Sequence, residues 1–248
     1  MTEQLSKHYS ASFYESFVDG SRLSAEVVVP IVNRLVRPQS VLDVGCGLGT
    51  WLAEWITQGV GDVLGVDGEH VDRGALQIEA TQFQTADLQN PLNLDRRFDL
   101  VESLEVAEHL DESRADEFVR SLTRHADTIL FSAAIPGQRG FHHVNEQWPS
   151  YWISRFSREG YDVYDALRPV IWNDARVDTW YRQNIFLFSK ATSFDTRGGL
   201  TDIVHPQMWQ DRLRPGSLGL RDLAKLFPAA AHSSIRSFGG KAVAKLSR

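Results

Sequence analysis

Seven short apolar runs, separated by turn residues and helical windows, organise the chain between residues 40 and 190. Such runs are typical of buried strands, and the amphipathic windows between them are typical of helices that cover a sheet. The alternation predicts an α/β fold built on a mostly parallel sheet, with two consecutive strands at its end. The predicted strands are 40–45, 62–67, 83–88, 98–104, 128–135, 161–167 and 184–190.

A long helical stretch precedes the first strand, and three helical windows separate later strands. Residues 11–36 carry a helical pattern with a predicted break near Asp19 and Gly20. The windows cover residues 50–59, 111–126 and 146–160. Asp111 is the predicted N-cap of the second window. The expected organisation is a helical cover over residues 1–38, an α/β core over 39–192 and a C-terminal extension over 193–248.

Charge is distributed unevenly along the chain. The net charge is −6, but residues 211–248 carry eight Lys or Arg against two Asp, whereas residues 1–210 carry 18 basic and 30 acidic side chains. An acidic body repels a phosphate backbone, which argues against binding of long nucleic acid. The basic tail is expected to be a solvated, partly helical segment, or to rest weakly on an anionic membrane surface.

The cysteine content and the distribution of apolar residues bear on the cellular compartment. Cys46 is the single cysteine, so the sequence holds neither a disulfide framework nor a multi-cysteine zinc site. The first ten residues lack the basic and apolar regions of a signal peptide, and no apolar run approaches the roughly 20 residues of a membrane span. These features predict a cytoplasmic protein.

Three alternating glycines, Gly45, Gly47 and Gly49, join the first strand to a helical window. Glycines at such a turn let the backbone approach a ligand closely, and the following helix offers free N–H groups. A dinucleotide site requires the spacing G-x-G-x-x-G, but Thr50 stands where the third glycine would be. The spacing therefore argues against a dinucleotide.

Acidic residues end the next two strands. Asp67 lies about twenty residues beyond the glycine loop, where a carboxylate can accept both hydroxyls of a ribose. The third strand ends in Ala-Asp-Leu, which places Asp87 to accept an adenine amino proton beside the backbone of Leu88. A loop and two acidic strand ends in this order predict a site for an adenosine-containing ligand.

This combination resembles the S-adenosylmethionine site of class I methyltransferases, and the resemblance covers about residues 10–190. It implies a Rossmann-like seven-stranded sheet whose seventh strand is antiparallel, with N-terminal helices over the site. It also implies S-adenosyl-L-methionine as the cofactor, with Arg22 pairing with the donor's carboxylate. The implied donor-site residues are Arg22, Asp43, Gly45, Cys46, Gly47, Gly49, Asp67, Gly68, Asp87, Leu88, Glu102 and Leu104.

A second group of chemically active residues, Glu105, Glu108 and His109, follows the fourth strand. This Glu-x-x-Glu-His segment resembles two metal-using branches of the superfamily, the ubiquinone-biosynthesis O-methyltransferases and the small-RNA 3′-terminal 2′-O-methyltransferases. In both branches the segment holds a divalent cation, and in the RNA branch a further histidine before the next helix completes the site. His143 fits that position better than His142. The resemblance implies a metal site made by Glu105, Glu108, His109 and His143.

Such a site has a chemical rationale. A bound cation lowers the pKa of an alcohol hydroxyl and aligns its oxygen with the methyl group to be transferred. Carboxylate and imidazole ligands together suit Mn, Fe, Co or Zn at least as well as Mg. Two alternatives stay open: the segment is a solvated helix start, or the enzyme is metal-free and His143 or His109 is a general base. The catalytic candidates are His143, His109, Glu105 and His142.

The acceptor is less constrained by the sequence. The Asn/Asp-Pro-Pro-Tyr/Phe motif that amino-methylating enzymes of nucleic acids often carry after the fourth strand is absent. Residues 168–184 are rich in aromatic and polar side chains, which either floor an acceptor pocket or pack under the N-terminal helices. We predict a biosynthetic O-methyltransferase that acts on a hydroxyl of a small molecule or glycan. The alternatives are a 2′-O-methyltransferase on RNA ends and a non-catalytic donor-binding subunit.

Overall fold

The computed structural model describes residues 11–191 and 202–213, with side chains from 20 to 191 and from 202 to 212. The chain divides into two compact units, Met1–His205 and Pro206–Arg248. Of the second unit, the structure describes one helix, Pro206–Leu213. Most of the predicted C-terminal extension, including residues 214–248 of its basic tail, lies outside the described residues, so the proposed contact with a membrane surface stays a prediction.

The first unit is built on a seven-stranded sheet. Its strands are β1 Ser40–Val44, β2 Asp62–Asp67, β3 Phe83–Thr85, β4 Leu100–Leu104, β5 Thr128–Ser132, β6 Asp162–Tyr164 and β7 Phe186–Ser189. They follow the order β3-β2-β1-β4-β5-β7-β6. Strands β1 to β5 pair in parallel, whereas β7 lies antiparallel between β5 and β6. This arrangement confirms the predicted α/β fold and its antiparallel seventh strand.

Helices cover both faces of this sheet. The helices of the first unit are α1 Ala11–Val36, α2 Thr50–Thr57, α3 Ala115–His125, α4 Pro149–Arg158, α5 Arg168–Ile171 and α6 Thr179–Asn184; α7 is Pro206–Leu213 of the second unit. One apolar core includes Trp55 of α2, and the core on the other face includes Phe118 of α3 and Phe156 of α4. Within the described residues, no helix combines the length and the apolar character that crossing a membrane requires.

Helix α1 continues through Gly20, so the predicted break near Asp19 and Gly20 is wrong. Packing explains the glycine, because a Cβ at this position would lie 3.1 Å from Cγ of Asp178. The hydroxyl of Ser24 donates to the Gly20 carbonyl at 2.7 Å and accepts from the backbone N–H of Asp178 at 3.0 Å. Gly20 thus allows close contact between α1 and the segment that begins α6.

The helix after β4 also begins differently from the prediction. Asp111 precedes a 3-10 turn, Glu112–Arg114, and its side chain makes no capping hydrogen bond. The α-helix starts only at Ala115. Asp111 is therefore the N-cap residue of the 3-10 turn and not of the α-helix, because the chain first forms such a turn, as is frequent at helix N-termini.

Residues 168–184 pack under the N-terminal helix at Tyr181. This side chain is buried, its ring meets Trp51 edge-on with centroids 5.0 Å apart, and its hydroxyl lies 3.4 Å from that of Ser21. At this residue the structure agrees with the packing alternative.

Candidate active site

The glycine loop lies between β1 and α2. Gly45, Gly47 and Gly49 have φ angles of 89°, 52° and 78°, which residues with a Cβ adopt only with strain. The backbone N–H of Gly45 donates to the Val66 carbonyl at 2.8 Å and holds the loop to β2. The loop therefore has the backbone geometry that its glycine spacing predicts.

Gly45→Ala is expected to destabilise the fold more than Gly47→Ala. Both substitutions place a Cβ on a left-handed residue, which costs about 1 kcal/mol. At Gly45 the new atom would also overlap Val106, with Cγ1 at 2.8 Å, whereas at Gly47 no atom lies within 4 Å. Urea unfolding of the two variants measures the difference, and equal losses in free energy of unfolding would contradict the close contact with Val106.

Three buried carboxylates lie near the carboxyl ends of β1, β2 and β4. Asp43 and Glu102 are Cα partners on adjacent strands, and Glu102 accepts a hydrogen bond from Nε1 of Trp55 at 2.9 Å. Burial raises the pKa of Asp43 well above its usual range, and the charges of Glu102 and Asp67 raise it further. Burial also raises the pKa of Glu102 to about 8. This cluster disfavours an anionic ligand and favours a cationic one.

Asp67 joins the end of β2 to the glycine loop. Its Oδ2 accepts from the backbone N–H of Gly47 at 2.7 Å, and its Oδ1 accepts from that of Gly68 at 2.6 Å. The imidazole of His70 lies 3.6 Å away. The carboxylate predicted to bind the ribose is therefore held in a fixed orientation at the loop.

Asp87 lies on the turn after β3. Its side chain is exposed, and its carboxylate accepts from the backbone N–H of Gln89 at 3.0 Å and from Nδ2 of Asn90 at 2.8 Å. Leu88, which is half-buried, follows it. These contacts hold the turn in which an adenine contact is predicted.

The other predicted donor residues differ in exposure. Arg22 is exposed on α1 and pairs with Glu26 of the same helix. Leu104 is buried at the end of β4, and Cys46 is buried in the glycine loop. Burial raises the pKa of the Cys46 thiol far above its usual range, which disfavours the thiolate that a nucleophilic cysteine requires.

Glu105 follows β4 in a left-handed conformation, with φ at 56°. Its backbone N–H donates to the Ser132 carbonyl at 3.0 Å. Its Oε1 accepts from Nδ2 of Asn184 at 2.9 Å, and its Oε2 accepts from Nε2 of Gln138 at 2.7 Å. Two side-chain amides therefore engage both oxygens of this carboxylate.

Glu108, His109 and His143 form a group whose candidate ligand atoms all lie within 4.8 Å of one another. Nε2 of His143 is 4.0 Å from Oε1 of Glu108, and the two imidazole rings have centroids 4.9 Å apart. Glu105 lies outside this group, so the structure brings together three of the four predicted metal ligands. Two amides hold the Glu105 carboxylate, and its charge still acts on Glu108.

The side chain of Glu108 is fully buried, and neither of its oxygens has a hydrogen-bond partner among the described residues. Burial raises the pKa of Glu108 well above its usual range and the charge of Glu105 adds to this, while the backbone of Glu108 and Ala134 opposes it. A buried carboxylate whose oxygens lack well-formed hydrogen bonds is costly, and a bound ion is one of the ordinary explanations. One carboxylate and two imidazoles fit a divalent transition metal.

His109 and His142 differ in their surroundings. Burial lowers the pKa of His109 and the charge of His143 lowers it further, which favours the neutral form that binds metals. His142 has a φ of 57°, and its exposed ring meets Phe141 with centroids 4.0 Å apart. The imidazole of His142, a predicted catalytic candidate, is not part of the ligand group.

Sequence reasoning missed three polar residues of the site. Gln138 and Asn184 hold Glu105 from 33 and 79 positions away, and a lone amide in a loop carries no signal of such a role. Glu146 accepts a hydrogen bond from Nδ1 of His143 at 2.9 Å. Its spacing of three residues from His143 was the one available signal.

Comparison with known proteins places the chain. The description "Methyltransferase domain" belongs to the family profile that matches residues 19–167, which is more than half of the chain. A comparison with curated proteins gives no match.

Solved structures share the fold. The methyltransferase domain of bacterial CtHen1-C matches with a TM-score of 0.51 and 20% identity, over 68% of this chain and 98% of that one. The sugar N-methyltransferase KedS8 from Streptoalloteichus sp. ATCC 53650 matches with a TM-score of 0.56 and 19% identity, over 72% and 91%. Magnesium protoporphyrin IX methyltransferase from Synechocystis PCC 6803, solved with bound SAH, matches with a TM-score of 0.51 and 16% identity, over 76% and 92%.

The parallel sheet, the left-handed glycine loop and the acidic strand ends agree with the family match. The chain therefore belongs to the methyltransferase-domain family and is a class I S-adenosylmethionine-dependent methyltransferase.

Proposed function

We propose that this enzyme is an O-methyltransferase in which Glu108, His109 and His143 bind a divalent cation beside the methyl donor. The observation that carries the proposal is the buried carboxylate of Glu108, which lacks a hydrogen-bond partner among the described residues and lies 4.0 Å from Nε2 of His143. A cation would offset the cost of burying this charge. Mn, Fe, Co and Zn suit the mixed ligands at least as well as Mg.

A few side chains would bind the cation and so activate the acceptor. When bound, the cation lowers the pKa of the acceptor hydroxyl and fixes its oxygen in line with the donor's methyl group. Glu108 and the imidazoles of His109 and His143 would hold the cation. Glu105, fixed by Gln138 and Asn184, adds a negative charge beside Glu108.

Cobalt(II) titration of the metal-free protein tests the site directly. The wild type is expected to develop the visible absorption of cobalt bound to imidazole nitrogen, and Glu108→Gln is expected to lose most of it. Glu112→Gln, the same change at an exposed position four residues away, is the matched control. Equal cobalt binding by wild type and Glu108→Gln would remove Glu108 from the site.

The charges near the glycine loop support S-adenosylmethionine over a dinucleotide. The donor's sulfonium is positive, and Glu102 and Asp67 lie close enough to Asp43 for their charges to add to the effect of burial and raise its pKa. A pyrophosphate would add negative charge to the same region and would be repelled.

Asp67→Ala is expected to weaken binding of S-adenosylmethionine by about 2 kcal/mol or more, since the ribose loses a charged acceptor. The substitution also leaves the backbone N–H of Gly47 without its acceptor. Calorimetric titration measures the affinity. Asp62→Ala, at the exposed start of the same strand, is the control and should bind the donor normally. Binding of NAD in place of S-adenosylmethionine would contradict the assignment.

We propose a small molecule or glycan as the acceptor, within a biosynthetic pathway. The acidic balance of residues 1–210 supports this choice, because it opposes docking of long nucleic acid. Methylation of RNA 3′ ends is the second candidate, favoured by the Glu-x-x-Glu-His segment. Transfer of labelled methyl groups to a panel of sugar and phenolic hydroxyls, with short RNA duplexes as competitors, separates the two. Transfer to RNA ends alone would overturn the small-molecule proposal.

Two further alternatives remain distinguishable. A metal-free enzyme with His143 or His109 as general base predicts that one histidine is essential and both glutamates are dispensable. A non-catalytic donor-binding subunit predicts donor binding without transfer to any hydroxyl acceptor.

A further inference from the structure

The loop between β5 and α4 closes on one carboxylate, that of Glu146. Its Oε2 accepts from the backbone N–H of Gly137 at 2.7 Å, and its Oε1 accepts from that of Arg139 at 2.6 Å. The same Oε1 accepts from Nδ1 of His143 at 2.9 Å. Three N–H groups from three positions of the loop therefore converge on two oxygen atoms.

The backbone of Gly140 lies against the imidazole of His143. A Cβ at residue 140 would overlap this ring, with Cδ2 at 2.6 Å. The φ of Gly140 is not positive, so the residue is glycine for space and not for backbone conformation. The ring is thus confined by the Gly140 backbone and by the carboxylate of Glu146.

The loop is also tied to Glu108 on the far side of His143. The backbone N–H groups of Val144 and Asn145 donate to the Glu108 carbonyl at 2.9 and 3.0 Å. These bonds fix the backbone of the two candidate ligands, Glu108 and His143, relative to each other. The orientation of the imidazole then depends on Glu146 and Gly140.

We propose that Glu146 is a positioning residue that holds His143 in the Nδ1–H tautomer, with Nε2 directed at Glu108 and available to a cation. This inference rests on the proposed function, because the cation is the one that Glu108, His109 and His143 would bind. A histidine that ligates through one nitrogen ordinarily donates its other N–H to a carboxylate or carbonyl, and loss of that partner weakens metal binding about 10- to 100-fold.

Glu146→Gln tests the proposal. Glutamine keeps the shape but has one acceptor oxygen in place of two, so it cannot serve Gly137, Arg139 and His143 together. Nitrogen-15 NMR of the metal-free protein, at a pH where imidazoles are neutral, reports the tautomer of His143, assigned by its loss in His143→Gln. We expect a protonated Nδ1 in the wild type and a mixed or reversed tautomer in Glu146→Gln. Cobalt(II) affinity should fall about 10- to 100-fold.

Gly140→Ala provides a second variant in which Glu146 is intact. Its Cβ should displace the imidazole and lower cobalt affinity, whereas Gly61→Ala, where no atom lies within 4 Å of the added Cβ, should not. An unchanged His143 tautomer together with unchanged cobalt affinity in Glu146→Gln would overturn the proposal. Should the wild type bind no cobalt, the metal site fails, and the tautomer shift alone still decides the role of Glu146.

Discussion

Chelation of divalent cations is expected to abolish methyl transfer and to leave the affinity for S-adenosylmethionine nearly unchanged. Donor binding is assigned to the glycine loop and Asp67, whereas acceptor activation is assigned to the Glu108 group. An alcohol hydroxyl is a poor nucleophile at neutral pH, so loss of the cation should lower turnover at least about 100-fold. Methyl transfer and calorimetry on the same chelated sample measure both quantities, and added Mn²⁺ or Co²⁺ should restore the activity.

Substitutions should follow the same grouping. Glu108→Gln, His109→Ala and His143→Ala should be similarly severe, because residues that act as one unit are not additive. Glu105→Gln should be milder, since Glu105 lies outside the ligand group. Glu112→Gln is the control at an exposed position. Chelators without effect, a fully active Glu108→Gln and one essential histidine would instead indicate a metal-free general base.

Thermal unfolding separates a lost cation from a damaged fold. A ligand that binds only the native state raises the melting temperature, so chelation should lower that of the wild type. It should leave the melting temperature of Glu108→Gln unchanged. If the substitution lowers stability in the presence of chelator, the role of Glu108 is structural.

The strands and the glycine loop could be predicted from the sequence because their signals are local. An apolar run of five or six residues that ends in glycines specifies a buried strand and a tight turn without reference to distant residues. Gly20 shows the limit of local patterns. A glycine by itself favours a helix break, but the contact with Asp178 that explains this glycine joins residues far apart in the sequence. Tertiary packing therefore determines why residue 20 is glycine within a continuous helix.

The candidate site could be predicted only in part, for the same reason. Glu105 and Glu108 are equivalent in the Glu-x-x-Glu-His pattern, yet their surroundings differ. Asn184 reaches Glu105 because β7 pairs with β5, which no short-range pattern specifies. Glu108 has no such partner among the described residues, and this difference in hydrogen bonding separates the two carboxylates.

Glu102→Gln is expected to stabilise the protein at alkaline pH by a few kcal/mol and to flatten its pH dependence of stability. Burial raises the pKa of Glu102 from its usual 4.5 to about 8 in the folded state. Between these two values the folded chain holds a proton that the unfolded chain has released, so wild-type stability falls as pH rises from about 4.5 to about 8 and is level above that. Glutamine does not titrate, and its carbonyl oxygen can still accept from Nε1 of Trp55.

Urea unfolding of wild type and Glu102→Gln at several pH values between about 5 and about 9 measures this difference. The two free energies of unfolding should nearly coincide at the acidic end and diverge as pH rises, while Glu112→Gln follows the wild type throughout. The free energy of unfolding of Glu102→Gln should still fall somewhat as pH rises, because burial also raises the pKa of Asp43. Saturating S-adenosylmethionine should reduce the divergence, since a positive sulfonium near these carboxylates favours their charged forms. Parallel curves for the two proteins would mean that Glu102 is ionised in the folded protein at neutral pH and that burial does not raise its pKa.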